Sequence, residues 1–486
     1  MGSERLRTLA LAAAALAAAS LLFHFGTGLD PLWWAPWCGT FVLLAAAPRL
    51  PAWGAFAITA LAWFLGSLYM LPYALDILAP PAGPGVAALA SKVIAVSLSM
   101  VLPSLVLGAA VALFRAFARR GAVWQAALIV PALWTGFEFL VSRLSPHGTF
   151  GALGYTQLQA LPLVQFASVA GVSGLSFCVL LLPAALAALL ARRSASLAIG
   201  VALFFASILG FGLWRLAQAP PANTVKAGLI ASDLPRYREV AENGADTQAI
   251  LRDYLAHASA LEGADIIILP EKLGVTVSGA GGSDDALLQG FADRSHALVV
   301  AGLIRAQLPR LYNEARIYRP SAAVPLTYDK EHMLPQFESR LTPGTSRTLL
   351  REPSGLWGAE VCKDMDFPAL SRAYGNDGVG LLLVPAWDFD DDNWLHARMA
   401  ILRGVESGFT LVRAARDGLL TISDDRGRVI AWKASNAAPF ATLLAAAPVR
   451  HDATLYARFG DWFGWLCLLL VPGLLFYRST GIQISR

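Results

Sequence analysis

Apolar residues run almost unbroken through long stretches up to about residue 218, and one more run closes the chain at 463–477. A helix rises about 1.5 Å per residue, so about 20 apolar residues cross the hydrocarbon of a bilayer. On that length the pattern predicts spans at 7–23, 32–47, 53–75, 93–114, 123–141, 164–190, 197–216 and 462–477, the second and eighth being the shortest. From 219 to 460 the pattern changes to short apolar runs separated by turn residues and helix-length stretches. Strands are expected at 224–231, 266–271, 297–303, 379–386, 410–415 and 419–423, with a hairpin from 315–319 and 324–328. Helices are expected at 235–261 and 391–407. Strands alternating with helices at this spacing predict a layered α/β sheet domain. The chain is therefore expected to join a polytopic α-helical membrane bundle of about eight spans to an α/β domain. Residues 1–218 form seven helices of the bundle, 219–460 the sheet domain, and 461–486 a final span and tail.

Composition supports the membrane part. Of 486 residues, 56% are hydrophobic and 15% charged, against about 25% charged in soluble domains. The net charge of +4 lies largely in short loops, so it speaks to orientation and not to nucleic-acid binding. Arg5 and Arg7 precede the first span, and Arg49 follows the second. Arg115, Arg119 and Arg120 follow the fourth, Arg192 and Arg193 the sixth, Arg478 and Arg486 the eighth. The intervening loops hold only Arg143 and, at an edge, Lys92. Basic loops stay in the cytoplasm, so both termini are expected inside and 219–460 on the outer face of a bacterial inner membrane. The first run also suits a cleaved signal peptide, with Ala17-Ala-Ala19 as a cut site. Among Cys38, Cys178, Cys362 and Cys467, only Cys362 falls in the sheet domain. No CxxC or Cys/His zinc spacing exists, and no metal or cofactor is expected.

Cys362 ends the apolar strand that begins at Leu356 and is followed at once by charge. Glu271 ends the 266–271 strand, and Lys330 follows the second arm of the hairpin. Strand ends in one sheet converge on one edge, where α/β proteins do chemistry. A thiol, a carboxylate to take its proton and a cation to favour the thiolate and a developing oxyanion form a coherent set. The same positions suit a small buried thiol and two ordinary exposed residues. Glu138 lies inside the fifth span, on one helix face with Trp134. It is a functional candidate or a cap for the loop beyond. That loop, 143–162, is long and rich in Gly, Thr and aromatic residues, and is a candidate to line a lateral site.

Three segments carry a resemblance: Leu269-Pro-Glu271, Tyr328-Asp-Lys-Glu-His-Met-Leu-Pro-Gln-Phe-Glu338 and Glu360-Val-Cys-Lys-Asp364. They resemble the Glu-Lys-Cys segments of the nitrilase, or carbon–nitrogen hydrolase, superfamily, the Lys330, His332, Leu334, Pro335, Glu338 spacing being the specific part. With the membrane helices the resemblance narrows to the apolipoprotein N-acyltransferase family. It extends over Pro131-Ala-Leu-Trp-Thr-Gly-Phe-Glu138, Gly154-Tyr-Thr-Gln157, Tyr312-Asn313, the 398–427 block and Tyr456-Ala-Arg-Phe-Gly-Asp-Trp462. The resemblance implies an αββα sandwich, with Glu271 as general base, Lys330 as oxyanion stabiliser and Cys362 as nucleophile. It implies that Glu338 positions Lys330, that the Lys363 N–H is a second oxyanion donor, and that Asn313 and Trp387 line the pocket. The implied reaction moves an acyl chain from a phospholipid, through a Cys362 thioester, to the N-terminal amine of a diacylglyceryl-cysteine apolipoprotein, in a monomer without cofactor. Two departures bear on the pocket rim. Lys363 and Asp364 stand where the family usually has an aromatic residue and Glu. Pro385-Ala-Trp-Asp-Phe-Asp-Asp-Asp-Asn393 replaces the family's Asn-Asp loop. A cation at Lys363 beside the thiol is expected to favour thiolate. Another amine acceptor, a membrane-tethered amidase and a non-catalytic lipid-binding scaffold are the alternatives.

Overall fold

The computed structural model describes residues 2–79, 85–219, 221–237, 246–277 and 282–476. The tail bearing Arg478 and Arg486 and part of the helix expected at 235–261 lie outside them. Among the described residues, six helices are long and apolar enough to cross a membrane: Arg5–Gly26, Ala52–Asp76, Val86–Arg119, Val123–Leu144, Ala167–Ala191 and Ala195–Ala217. Two predicted spans are shorter in the structure. Ala35–Ala46 has 12 residues, only about 18 Å of helix, because Pro36 begins it and the Ala47–Arg49 turn around Pro48 ends it. Trp462–Phe476 has 15 described residues. Arg115 Nε donates to Leu50 O at 2.5 Å, and Arg192 packs over Gly121. The turns at 49–51, 120–122 and 192–194 therefore share one end of the bundle. The sheet domain meets the other end, where Arg398 Nη2 donates to Gly28 O and Leu29 O, both at 2.8 Å.

Thirteen strands lie among the described residues: β1 Thr224–Ala231, β2 Ile266–Ile268, β3 Val275–Val277, β4 Leu298–Gln307, β5 Arg310–Tyr318, β6 Leu326–Asp329, β7 Leu349–Glu352, β8 Gly355–Ala359, β9 Leu381–Trp387, β10 Thr410–Arg416, β11 Leu419–Ser423, β12 Val429–Ala434 and β13 Ala441–Pro448. One sheet has the order β13-β1-β2-β4-β5-β6, with β3 also on β4, and the other β12-β11-β10-β9-β8-β7. Each has a parallel centre, β1-β2-β4 in one and β8-β9-β10 in the other, flanked by antiparallel strands. Alternation sets the faces. Ile266 and Ile268 point into the core between the sheets, while Ile267 and Leu269 pack under the helices Thr247–Ala258 and Ser283–Ser295. The helices Pro368–Asp377 and Asn393–Ser407 cover the second sheet, completing an αββα sandwich.

Asn393–Ser407 is buried without a break from Ala397 onward. It lies between the second sheet and the Ala167–Ala191 helix of the bundle, so the cores of the two parts are continuous. The strand expected at 297–303 runs on to Gln307 and turns directly into β5, so β5 is shared by two hairpins. Strands β3, β7, β12 and β13 add to those expected. β13 is rich in alanine, and what makes it a strand is its eight-residue antiparallel register on β1, which local propensity does not encode.

Candidate active site

Glu271 stands three residues past β2, Lys330 directly after β6, Cys362 three residues past β8, and Trp387 at the end of β9. The strand ends bring Glu271, Lys330, Cys362 and Trp387 onto one cavity of about 820 Å³. The end of β9 ties the two sheets together there. The Glu271 N–H donates to Ala386 O at 3.3 Å, and the Cys362 thiol donates to Trp387 O at 3.3 Å. Three non-glycine residues with positive φ face this cavity, Lys272 (54°), Cys362 (45°) and Asp417 (47°), and such backbone concentrates at functional sites.

Lys330, only 2% exposed, has all three of its protons placed. Nζ donates to Glu271 Oε1 at 2.9 Å, and to Glu338 Oε2 at 2.8 Å and Oε1 at 3.1 Å. Burial opposes its charge, but Glu271 and Glu338 hold its pKa well above the usual lysine range. Burial also pushes Glu338 up, yet Lys272 and Lys330 hold it well below the usual carboxylate range. Burial and the Glu271 carboxylate raise the Cys362 thiol well above its ordinary value, against the pull of Lys330 and Arg413. The resting sulfur is therefore a thiol hydrogen-bonded to Trp387 O, and it needs a base when it reacts.

Two expectations are corrected. Asn313 does not line the cavity. It lies fully buried beneath it on β5, donating from Nδ2 to Glu271 Oε1 at 2.6 Å and to Glu338 Oε1 at 2.8 Å. β5 lies between β4 and β6, and from this interior strand the Asn313 amide is used up on the two carboxylates. Lys363 lines the cavity, but its ammonium turns to Asp366 Oδ2 at 3.1 Å and His147 Nδ1 at 3.4 Å. The cations that bear on the thiol are Lys330 and Arg413. Asp364 is structural: its carboxylate accepts from Tyr328 OH at 2.8 Å, His332 N–H at 2.8 Å and Val361 N–H at 3.2 Å.

Other residues of the wall escaped sequence reasoning. Lys272 donates to Glu338 Oε1 at 2.8 Å and lies 5.0 Å from the centre of the Trp387 ring. His396 pairs with Asp392 at 2.9 Å, and Asp388 makes a bidentate pair with Arg413 at 2.5 and 2.9 Å. Lys272 directly follows Glu271, and that adjacency was the one available signal. Tyr73, Ile77, Leu78, His147 and Phe150 bring the bundle into the same wall. A second, apolar cavity of about 200 Å³ inside the bundle shares Leu78 and Phe150 with it. The larger cavity thus offers a thiol, a carboxylate and a buried ammonium in a wall completed by residues of the bundle.

The model of the apolipoprotein N-acyltransferase N-terminal domain matches residues 12–185, and that of carbon-nitrogen hydrolase matches residues 216–459. An apolipoprotein N-acyltransferase of Geobacter metallireducens is 27% identical, over 79% of this chain and 80% of its own. That of Brucella suis biovar 1 is 30% identical, over 68% of this chain and 70% of its own. That of Chromobacterium violaceum is 27% identical, over 97% of this chain and 95% of its own.

Proposed function

The chain belongs to the apolipoprotein N-acyltransferase family, and from that membership we propose that it moves an acyl chain from a phospholipid, through a thioester on Cys362, to the N-terminal amine of a diacylglyceryl apolipoprotein. It is a membrane acyltransferase. Residues 1–218 and 461–486 anchor it in a bacterial inner membrane, and 219–460 form the catalytic domain on the outer face. It works as a monomer. The observation that carries the reading is Lys330 clamped between Glu271 and Glu338 in a cavity that also holds Cys362 and reaches the bundle.

In the first half-reaction Glu271 takes the thiol proton as sulfur attacks the ester carbonyl. Protonated Glu271 is a poorer acceptor, which releases one Lys330 N–H to the oxyanion, while Glu338 retains the other two. The Lys363 backbone N–H is the second donor to that oxyanion. The tetrahedral intermediate expels the lysophospholipid alkoxide, which takes the proton back from Glu271. In the second half-reaction the acceptor amine attacks the thioester, Glu271 takes the amine proton, and sulfur leaves as the thiol when that proton is returned. Trp387 and the apolar wall from the bundle hold the chains against the thiol.

Trapping tests the reading. Given phospholipid and no amine, the protein gains one acyl mass that neutral hydroxylamine removes, because a two-step enzyme starved of its second substrate accumulates the intermediate. Cys362→Ala gains none. Glu271→Gln and Lys330→Met gain it slowly, by about 10²–10³ for loss of an oxyanion donor. A diacylglyceryl lipopeptide with a free amine discharges the thioester as an amide. Discharge by water alone would make the protein a lipid amidase or lipase, and no uptake of acyl mass with any phospholipid would favour a binding scaffold.

A further inference from the structure

Glu138 and Thr149 of the 143–162 loop take no part in the chemistry above, yet both belong to one hydrogen-bonded construction. Glu138 Oε1 accepts from Trp134 Nε1 at 2.8 Å and from the Leu153 N–H at 2.7 Å, which ties the middle of the loop to its own helix. The Gly154 N–H donates to Ser176 Oγ at 2.9 Å. Between these ties and the membrane helix before it, Thr149 reaches the turn Cys362–Asp366. Its N–H donates to Asp366 O at 3.0 Å, and its hydroxyl donates to the same oxygen at 2.8 Å. With that proton committed, Thr149 Oγ1 accepts from the Tyr155 hydroxyl at 2.6 Å, and the Tyr155 oxygen accepts from the Arg403 guanidinium. Arg403 is fully buried and paired with Glu406 at 2.6 Å. The direction of the chain is set at both ends, since a guanidinium only donates and a carbonyl only accepts. Gly148, with φ +53°, makes the approach possible: a Cβ there would stand 2.4 Å from Asp366 O.

Cys362 opens the turn that this chain grips, in a left-handed conformation that a residue with a side chain keeps only when its surroundings hold it there. We propose that Thr149 is a positioning residue for acyl transfer, with Tyr155 and Arg403 orienting its hydroxyl. It acts through the Asp366 carbonyl to hold the Cys362 backbone so that the thiol faces the cavity. The membrane bundle, through this strut, shares with the sheet domain the setting of the nucleophile. The inference rests on Cys362 being the nucleophile.

The full-length protein, purified in detergent and given phospholipid alone, provides the test through the rate of thioester formation as lipid concentration is varied. Thr149→Val keeps the shape and the backbone N–H but removes the hydroxyl. It is expected to lower the saturated rate about 10- to 100-fold, as misplacing a reacting atom by a fraction of an ångström does, with the half-saturating lipid concentration within about twofold. Thr149→Ser restores most of the rate. Tyr155→Phe gives a smaller loss, and the Tyr155→Phe/Thr149→Val double variant is no slower than Thr149→Val alone, because links of one chain are not additive. The folded fraction of each variant is read in parallel from its thermal unfolding. A Thr149→Val rate equal to wild type overturns the proposal, as does a rate lowered only in step with the folded fraction, or a Thr149→Ser variant as slow as Thr149→Val. If wild type takes up no acyl group on Cys362, the nucleophile assignment itself has failed and the role of Thr149 falls with it.

Discussion

The residue that most separates spacing from geometry is Lys363. Its place beside Cys362 makes it a candidate to ionise the thiol, but its ammonium is held by Asp366 and His147. Lys363→Tyr should therefore leave the pH dependence of Cys362 alkylation within about half a unit of wild type, whereas Lys330→Met should move it to higher pH by removing the nearest opposing charge. A clear rise in the Lys363→Tyr variant would return that lysine to the thiol's field. The His396–Asp392 pair gives a stability prediction. Burial opposes charge on His396, but Asp392 raises its pKa to about 9. A histidine raised above its unfolded value of about 6.5 contributes its full stabilisation below that value and loses it as pH rises through its folded pKa. The unfolding temperature in detergent should fall between pH 6.5 and 9, and His396→Gln should flatten that fall. A variant with the wild-type pH slope would show that other groups set it.

At the scale of elements, the carboxylate depends on how closely β4 approaches the chain leaving β2. Gly302 N–H donates to Pro270 O at 3.1 Å. A Cβ at Gly302 would stand 2.4 Å from both the Glu271 Cα and Pro270 O. Gly302→Ala must push β4 away from the backbone at Glu271. The expected cost is roughly 1–3 kcal/mol of stability, as for other overpacked cores, with a slower thioester step than that loss explains. Wild-type rates in this variant would mean that the Glu271 backbone can shift freely. The same contact explains why 297–303 was readable as a strand while its service to Glu271 was not. Alternation of apolar residues reports a strand, and says nothing of which backbone it crowds. β13 is the converse case, an alanine-rich stretch made a strand by its partner β1.

For the whole molecule, the turns bearing Arg49, Arg120 and Arg192 gather at one end of the bundle and the sheet domain sits at the other. In a background without other accessible thiols, an impermeant reagent applied to intact spheroplasts should label Ser283→Cys in the sheet domain and spare Ala195→Cys at the basic end. The reverse pattern would invert the topology. What the sequence determined by itself is what short-range periodicity and composition can carry. Runs of about 20 apolar residues make spans, and the apolar runs before Glu271 and Cys362 make strands that end three residues short of them. Tertiary structure alone decided how those groups are held. Lys330 lies 59 residues from Glu271 and 8 from Glu338, and no local pattern says that Asn313 bridges both carboxylates from beneath instead of lining the cavity. Nor could it say that Thr149, 217 residues from Asp366, bonds to the turn that Cys362 opens. Such contacts depend on where two twisted sheets and a membrane bundle bring distant backbones together, and a side chain's direction at that meeting is set by packing, which period and propensity do not encode.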